Sequence, residues 1–398
     1  MGIFSSWGSK TERLAVIIDV GSASIGVALA LLRKDGKPTI FYTKRKEMPF
    51  QSTLHFEKFF AGMGTTLTAV LQDTATQGML RVPREYARTI PDEVVCVLGA
   101  PWHAIATKTI TIKRDQPFTV TDEIMEQSLD KEAESFREKA FGKESVTLLE
   151  KHVMRAAVNG YPVVSPKGKR GTELSLSLYL SLAPEYVVRI IREGYAHVFH
   201  NAPITFHSHL FALFAGVRDL WPQVDDSLLV RMSGEVVEIG LVADGALRDV
   251  LSFPMGTNIF VRDVMKAKNI SATEARSLLS LVLTGKSSRD VSSGILTLVK
   301  NREDVLLRAI RKALASISPV PFLLQGIFVS ADPAFAGWLK TILAKEALLG
   351  TVFADSGVPV HVLSGEVLAP HIELTNPRED DTFLTTETIF ADRAVFLV

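Results

Sequence analysis

Cysteine is nearly absent from this chain, and its scarcity excludes two kinds of structural cross-link. The 398 residues contain one cysteine, Cys96, inside the apolar run VVCVLGAP. A single thiol cannot form a disulfide within the chain, and it cannot supply the paired cysteine ligands of a structural zinc site. The sequence therefore predicts a chain stabilised by its apolar core and suited to a reducing cytoplasm.

An excess of charge and a long apolar run are lacking as well. Lys plus Arg and Asp plus Glu number 44 each, so no bulk field attracts nucleic acid or an anionic membrane. A membrane-spanning helix needs about 18 or more uninterrupted apolar residues, and no window offers them. The N-terminal MGIFSSWGSK lacks the basic start and apolar region of a secretory signal. We therefore expect no nucleic-acid partner and no membrane-spanning helix.

The sequence motifs of several enzyme classes are missing too. The chain has no Gly-x-Ser-x-Gly elbow, no Walker loop and no His-Glu-x-x-His helix. Four of its nine histidines, His197, His200, His207 and His209, lie close together. Imidazoles bind zinc, but no acid or cysteine completes a familiar ligand set there, and a helix end also favours histidine. A zinc site therefore stays the weaker of two interpretations of this cluster.

What the chain does have is an alternation of apolar strands and helical segments, which is typical of an α/β architecture. A strand–turn–strand pattern opens it, LAVIIDVGSASIGVALALL, and the pattern returns in its second half as SLLVRMSGEVVEIGLVADGAL. The length of the chain also favours more than one lobe, because 398 residues are more than a single hydrophobic core usually accommodates. The sequence therefore predicts two related lobes.

Local signals place several helices and strands. Thr121 precedes two acids and a helical pattern, which predicts the N-cap of a helix. Ser271 and Glu274 have the spacing of a capping box within a helical segment that runs from Asn258 to Leu314. The segment NGYPVVSPKGKRG is a loop or wide hairpin between strands, and the C-terminal ADRAVFLV is predicted to form a strand.

The order of these parts resembles one protein superfamily. IIDVGSASIGVALA is similar to the first phosphate hairpin of the actin-like ATPases, and VRMSGEVVEIGLVADGAL with SFPMG falls where their second hairpin belongs. FVSADPAFAGWL falls at their adenosine motif. Between the two hairpins, EVVCVLGAPWHA, PFTVTDEI, NGYPVVSPKGKRG and ELSLSLYL follow the order of an extra small subdomain. That subdomain marks the bacterial branch of the division protein FtsA and the pilus protein PilM, which this chain resembles.

The resemblance implies a fold and a division of the chain. The fold would be α/β, a two-lobed actin-like (ribonuclease H-like) ATPase fold with an FtsA/PilM-type small α+β subdomain. The expected parts are a flexible tail (1–12), a first lobe (13–91 and 184–223), an inserted small subdomain (92–183), the core of a second lobe (224–257 and 320–398) and the helical subdomain of that lobe (258–319).

The resemblance also implies where ATP and its magnesium ion would bind. Gly21 lets the backbone approach an anion, and the hydroxyls of Ser22 and Ser24 can donate to phosphate oxygens. Asp19 would face a hydrated Mg²⁺ ion, which prefers carboxylate oxygens and keeps several waters. A structural interpretation stays open, in which Asp19 only caps the turn. The matching cofactor-binding positions of the second lobe are Gly234, Glu235, Gly256 and Ser330.

The second hairpin departs from the family pattern, which runs Asp-x-Gly-Gly-x-x-Thr-x-Asp. Arg231 replaces its first Asp and Val237 replaces its Thr. A guanidinium cannot coordinate Mg²⁺, although it pairs with carboxylates. At the adenosine motif, Ser330, Ala331 and Asp332 stand where the family has a glycine pair. The sequence therefore predicts weak or absent binding of ATP and Mg²⁺ and no catalytic residue, and it leaves open that Arg231 pairs with Asp19 in place of the metal.

The resemblance finally implies a function. We expect an actin-fold scaffold protein of cell division or of pilus and envelope assembly, cytoplasmic and recruited to the inner membrane by its partners. The expected partners are proteins, either FtsZ-like or a PilN-like peptide held at the small subdomain, and self-polymerisation is a further implied property. An active actin-like ATPase is the alternative, and it requires the hairpin that Arg231 and Val237 interrupt.

Overall fold

The computed structural model describes residues 11–86, 90–200, 202–317, 324–345 and 357–393. Its strands are β1 (Glu12–Val20), β2 (Ser24–Arg33), β3 (Thr39–Glu47), β4 (Glu93–Leu98), β5 (Ala104–Thr119), β6 (Val146–Val158), β7 (Tyr161–Val163), β8 (Arg170–Pro184), β9 (Ile204–Ser208), β10 (Ser227–Met232), β11 (Val237–Ala243), β12 (Ala246–Phe253), β13 (Gly326–Ala331), β14 (Val360–Val362) and β15 (Glu373–Leu374). Its α-helices are α1 (Phe56–Asp73), α2 (Asp122–Phe141), α3 (Glu185–Phe199), α4 (His209–Leu220), α5 (Thr257–Lys268), α6 (Ala272–Leu283), α7 (Arg289–Ile317), α8 (Pro333–Leu343), α9 (Gly365–Leu368) and α10 (Thr382–Arg393).

The first lobe is built on a sheet with the strand order β15-β3-β2-β1-β4-β9. β1 pairs antiparallel with β2 and parallel with β4, which places it inside the sheet. Helices α1 and α3 pack on one face of this sheet, and α4 and α10 pack on the other. Because both faces are covered, β1 and β2 are apolar almost without interruption.

The second lobe repeats this plan around the sheet β12-β11-β10-β13-β14. β10 lies inside this sheet as β1 does in the first, antiparallel to β11 and parallel to β13. Helices α5 to α8 pack on one face through a continuous apolar core. The two central hairpins, β1–β2 and β10–β11, therefore occupy corresponding places in the two lobes.

A third sheet, β5-β8-β6-β7, forms a small subdomain between β4 and α3. Helix α2 packs on one face of this sheet, where Phe118, Leu129 and Leu176 belong to its small core. Thr121 caps α2 by accepting a hydrogen bond from the Ile124 amide, so the predicted N-cap is confirmed. The predicted capping box of Ser271 and Glu274 is confirmed at the start of α6.

The C-terminal region differs from the sequence-based expectation. Residues 320–398 are expected with the second lobe, but β15 pairs with β3 of the first sheet and α10 packs on β1 and β2. The predicted C-terminal strand is also wrong in its first part, because α10 continues to Arg393, and residues 394–398 lie outside the described residues. The reason is packing, because α10 buries Leu384, Ile389 and Phe390 in the apolar core on one face of the first sheet.

Within the described ranges, no helix is long and apolar enough to cross a lipid bilayer.

Candidate functional site in the cleft between the lobes

A cleft of about 580 Å³ lies between the two lobes, at the ends of their central strands. The turn between β1 and β2 and the turn between β10 and β11 form its floor. Residues of α5, α6 and α8, among them Asn258, Arg276 and Phe335, line its outer part. The topology thus brings together the two hairpins that the sequence singled out.

Asp19 lies at the floor of this cleft and is surrounded by cationic groups. Its side chain is 1% exposed. One carboxylate oxygen, Oδ2, lies 2.7 Å from the guanidinium of Arg45 on β3. The other, Oδ1, lies 3.1 Å from Nε2 of His209 and 3.5 Å from the guanidinium of Arg231. Both oxygens of this buried acid are therefore paired within the protein.

These neighbours keep Asp19 ionised. Burial raises the pKa of its carboxyl, but Arg45, His209 and Arg231 together outweigh burial and hold that pKa well below its ordinary value. The same pairing acts on Arg45, whose pKa burial lowers but Asp381 and Asp19 raise above its ordinary value. The acid and its guanidinium partner are therefore both charged at neutral pH.

Arg231 is the most deeply buried arginine in this group, with a side chain that is 2% exposed. Its Nη1 donates to Glu238 at 3.0 Å and its Nη2 reaches Asp19. The ring of Phe383 lies 5.3 Å from the centre of the guanidinium. Gly99 leaves room for this group, since a Cβ there would lie 2.4 Å from Nη1. The planar fork of arginine thus joins an acid of each lobe.

His209 links Asp19 to a further buried acid. Its Nε2 lies 2.6 Å from Glu387 on α10 as well as 3.1 Å from Asp19. Burial, with the charge of Asp19, raises the pKa of Glu387 to about 7. Burial and Arg231 lower the pKa of His209, but Glu387 and Asp19 raise it above its ordinary value. Both side chains therefore hold a proton to higher pH than they would in water.

The two hairpin turns touch each other directly. The hydroxyls of Ser22 and Ser233 lie 2.9 Å apart, and the Glu235 amide donates to the Ser22 hydroxyl at 2.9 Å. Gly234 permits this approach, because a Cβ there would lie 2.0 Å from the Cβ of Ala23. The hydroxyl of Ser22 and an amide of the second turn, groups that suit a phosphate, are hydrogen-bonded to each other here.

The other positions singled out by the sequence lie around these turns. The Gly21 amide donates to the Ser24 carbonyl, and the Ser24 hydroxyl accepts from Arg45 at 3.0 Å. Glu235 points away from the cleft and pairs with Arg262 at 2.7 Å. Gly256 packs against the second turn, since a Cβ there would lie 2.3 Å from the Gly234 carbonyl oxygen.

The adenosine end of the cleft has side chains in place of the expected glycines. Ser330 is buried at the end of β13 beside Arg231, and it lies behind the cleft wall. Asp332 lines the cleft and accepts from the Ala334 amide at 2.9 Å, so its carboxylate caps α8. A nucleotide base would therefore meet a charged cap at the turn where the family has glycine.

Comparison with known proteins adds the fold family. No protein-family model matches the chain, and no curated protein matches it either. A chain of a PilM-PilN type IV pilus biogenesis complex superposes with a TM-score of 0.58 at 14% identity, over 96% of each chain. The chain has an actin-like ATPase fold. At this identity the likeness shows the fold alone.

Two further solved structures are more distant. The ethanolamine utilization protein EutJ from Carboxydothermus hydrogenoformans gives a TM-score of 0.46 at 11% identity, over 96% of this chain and 90% of that one. MreB 5 of Spiroplasma citri bound to AMPPNP also gives 0.46, at 10% identity, over 95% of this chain and 96% of that one.

The actin-like fold raises the question of a magnesium ion, and the residues of this cleft do not fit one beside Asp19. Arg231 stands where the family pattern has an acid, and both oxygens of Asp19 face cationic groups. A divalent cation between two guanidinium groups would be repelled by both. The ligand atoms of Asp19, His209 and Glu387 do lie within 4.8 Å of one another, but hydrogen bonds through one imidazole nitrogen already join them.

Sequence reasoning found one half of this network and missed the other. Asp19 and Arg231 lie in the two hairpins, where the sequence singles them out, and Glu238 lies on β11 of the second hairpin. Arg45 lies on β3 and Glu387 on α10, where they belong to no motif. The sequence does offer one signal, because Glu387 is a lone acid within FLTTETIFA, with no other charged residue within four positions on either side.

Proposed function

We propose that this chain is a PilM-like scaffold protein, which binds a segment of another protein and does not hydrolyse ATP. The observation that carries this proposal is the state of the cleft floor, where Arg231 pairs with Asp19 and the two turns are hydrogen-bonded together. Phosphoryl transfer depends on a positioned metal ion and on groups that stabilise the transferring phosphate. Here the acid that would hold the metal is neutralised by groups of the protein.

An exposed aromatic patch supports the binding of a protein partner. The aromatic patch consists of Phe56, Phe60 and Tyr186, with ring centroids 5.1 to 6.2 Å apart. Phe56 is 58% exposed, while Phe60 and Tyr186 are partly exposed and also pack against the core of the first lobe. A cluster of aromatic rings that reaches the surface supports a contact with another protein. The patch lies where α1 and α3 meet the small subdomain, the part of the chain at which the resemblance implies a bound peptide.

The likeness to a PilM–PilN complex supports a partner of the PilN type. We infer that an extended segment of such a partner lies on the aromatic patch and places the chain at the inner membrane. The three rings, two of them stacked and the third edge-on, offer an apolar surface for the apolar side chains of a peptide. Recruitment through a partner would give a peripheral protein of the cytoplasmic face. We also propose that the chain self-polymerises, a property that only the resemblance supports.

Capture of partners from cells that express the chain tests this proposal. The chain is immobilised in its wild-type form, as the patch variant Phe56→Ser/Tyr186→Ser, and as the control Leu80→Ser, whose side chain is 84% exposed elsewhere on the first lobe. We expect a PilN-type protein on the wild type and the control, with at least a tenfold loss on the patch variant. Equal capture by the patch variant would refute the assigned surface, and capture of an FtsZ-type protein would favour a division role instead.

A further inference from the structure

Contacts between groups of the protein itself join the two lobes across the cleft floor. Arg231 of β10 reaches Asp19 of β1 at 3.5 Å, and Ser233 lies 2.9 Å from Ser22. The Glu235 amide adds a third contact to Ser22. Each of these contacts pairs a residue of the first hairpin with one of the second. The places that a metal ion and phosphates would bridge in the family are thus bridged by the chain itself.

A second group of contacts joins the lobes at the rim of the cleft. Phe50, in the loop after β3, contacts two arginines of the second lobe, Arg262 and Arg276, whose guanidinium groups each lie 5.4 Å from the centre of its ring. Arg276 also pairs with Glu47 at 3.1 Å, and Arg262 donates to the carbonyl of Gln51 at 3.0 Å. Cations over an aromatic face attract it, and more strongly as the site is desolvated. Guanidinium groups therefore join the two lobes at the rim of the cleft, as the guanidinium of Arg231 does at its floor.

Only an arginine can make the contacts seen at position 231, and its guanidinium needs free space beside it. Its two terminal nitrogens contact different acids, Glu238 at 3.0 Å and Asp19 at 3.5 Å, which the single ammonium of a lysine could not do in this arrangement. Gly99 keeps the space next to Nη1 free. A guanidinium is always charged and is covalently attached, so its link between the lobes does not depend on the concentration of a ligand.

Phe50, Arg262 and Arg276 together are called the Phe50 clamp. We infer that the guanidinium of Arg231 takes the place of the metal ion in this cleft. Together with the Phe50 clamp, it holds the two lobes closed without nucleotide. In a ligand-gated actin-like protein, closure follows the differential affinity of nucleotide for the closed state. In this chain the closed state is an intrinsic property of the sequence. The inference goes beyond partner binding, and its test does not involve the partner.

The distance between the lobes provides the test. Spin labels are attached at Lys58→Cys on α1 and Lys286→Cys after α6, both exposed, while the native Cys96 is buried and unreactive. Double electron–electron resonance on the full chain should give one narrow distance distribution that millimolar Mg-ATP does not change. Arg231→Met should widen this distribution at least twofold, because it removes the guanidinium that joins Asp19 to Glu238.

Two further variants make the result decisive. Arg248→Met removes an exposed arginine of the same lobe and should leave the distribution unchanged. Gly99→Ala keeps every charge but displaces the guanidinium of Arg231, so it should widen the distribution and gives the answer if Arg231→Met does not fold. A wild-type distance that shifts with Mg-ATP, or an unchanged width in both Arg231→Met and Gly99→Ala, would overturn the inference. Either result leaves the partner-capture experiment intact.

Discussion

At the scale of the residue, an exchange of charge explains the cleft. Asp19 is the penultimate residue of β1 and Arg231 that of β10, so the two side chains have corresponding places in the two lobes. Two acids at these places would repel each other and attract a divalent cation. An acid and a guanidinium attract each other and exclude that cation. One substitution in the second hairpin therefore converts a metal-binding arrangement into an ion pair.

The buried acid Glu387 predicts how stability depends on pH. Its pKa lies near 7 in the folded chain and at 4.5 in the unfolded chain, so the folded state holds more protons between these values. The raised pKa of His209 acts in the same direction. The free energy of unfolding should therefore fall as the pH rises from about 5 to 8.

Glu387→Gln isolates the share of this one acid. The variant should gain about 2 to 3 kcal/mol relative to wild type between pH 5 and pH 8, because a shift of one pKa unit corresponds to about 1.4 kcal/mol. Urea unfolding at both pH values measures it. Some pH dependence should remain, since burial also raises the pKa of Glu93 to about 7 and that of Asp392 to about 6. Parallel curves for wild type and variant would show that Glu387 is ionised throughout.

At the scale of the element, two glycines serve close packing: Gly234 in the turn of the second hairpin and Gly256 just before α5. The resemblance implies both as cofactor-binding positions. In the structure they are points where one turn approaches another, with Ala23 against Gly234 and the second turn against Gly256. The residue type was predictable from the turn, but its neighbour was not, because only the packed lobes decide what lies across it.

Gly256→Ala tests this packing role. A Cβ at this position would lie 2.3 Å from the Gly234 carbonyl oxygen and 2.5 Å from the Glu235 nitrogen, so backbone atoms must move. The expected loss of unfolding free energy is about 1 to 3 kcal/mol, as for other overpacked sites. The control is Gly337→Ala on α8, where nothing lies within 4 Å of the added Cβ and a gain of about 0.5 to 1 kcal/mol is expected. Equal effects of the two substitutions would contradict the account.

The strands and helices differed in how well they could be predicted from the sequence. The central strands were clear because burial on both faces makes them continuously apolar, and the caps at Thr121 and Ser271 were clear because their signals are local. Helix α10 was assigned to the wrong lobe because its partners, β1 and β2, lie more than three hundred residues earlier. Arg45 and Asp381 likewise pair over 336 residues, which no local pattern records.

At the scale of the whole molecule, the two lobes form one cleft that the protein itself fills at its floor. The order of the parts along the chain was enough to predict the two-lobed fold, since each hairpin and subdomain appears in the sequence as its own pattern. The sequence also showed that the second hairpin lacks its acid and hydroxyl. What only the structure shows is that Arg45, His209 and Arg231 converge on Asp19 and that the two turns are in contact.

The binding of Mg-ATP tests the central claim most directly. Isothermal titration calorimetry of the wild-type chain with ATP and Mg²⁺, followed by a phosphate-release assay on the same sample, measures both affinity and turnover. Because Asp19 is paired with three cationic side chains, we predict no binding heat at micromolar concentrations and no phosphate release above the buffer rate. Binding in the micromolar range together with clear turnover would contradict the account and would show an active actin-like ATPase.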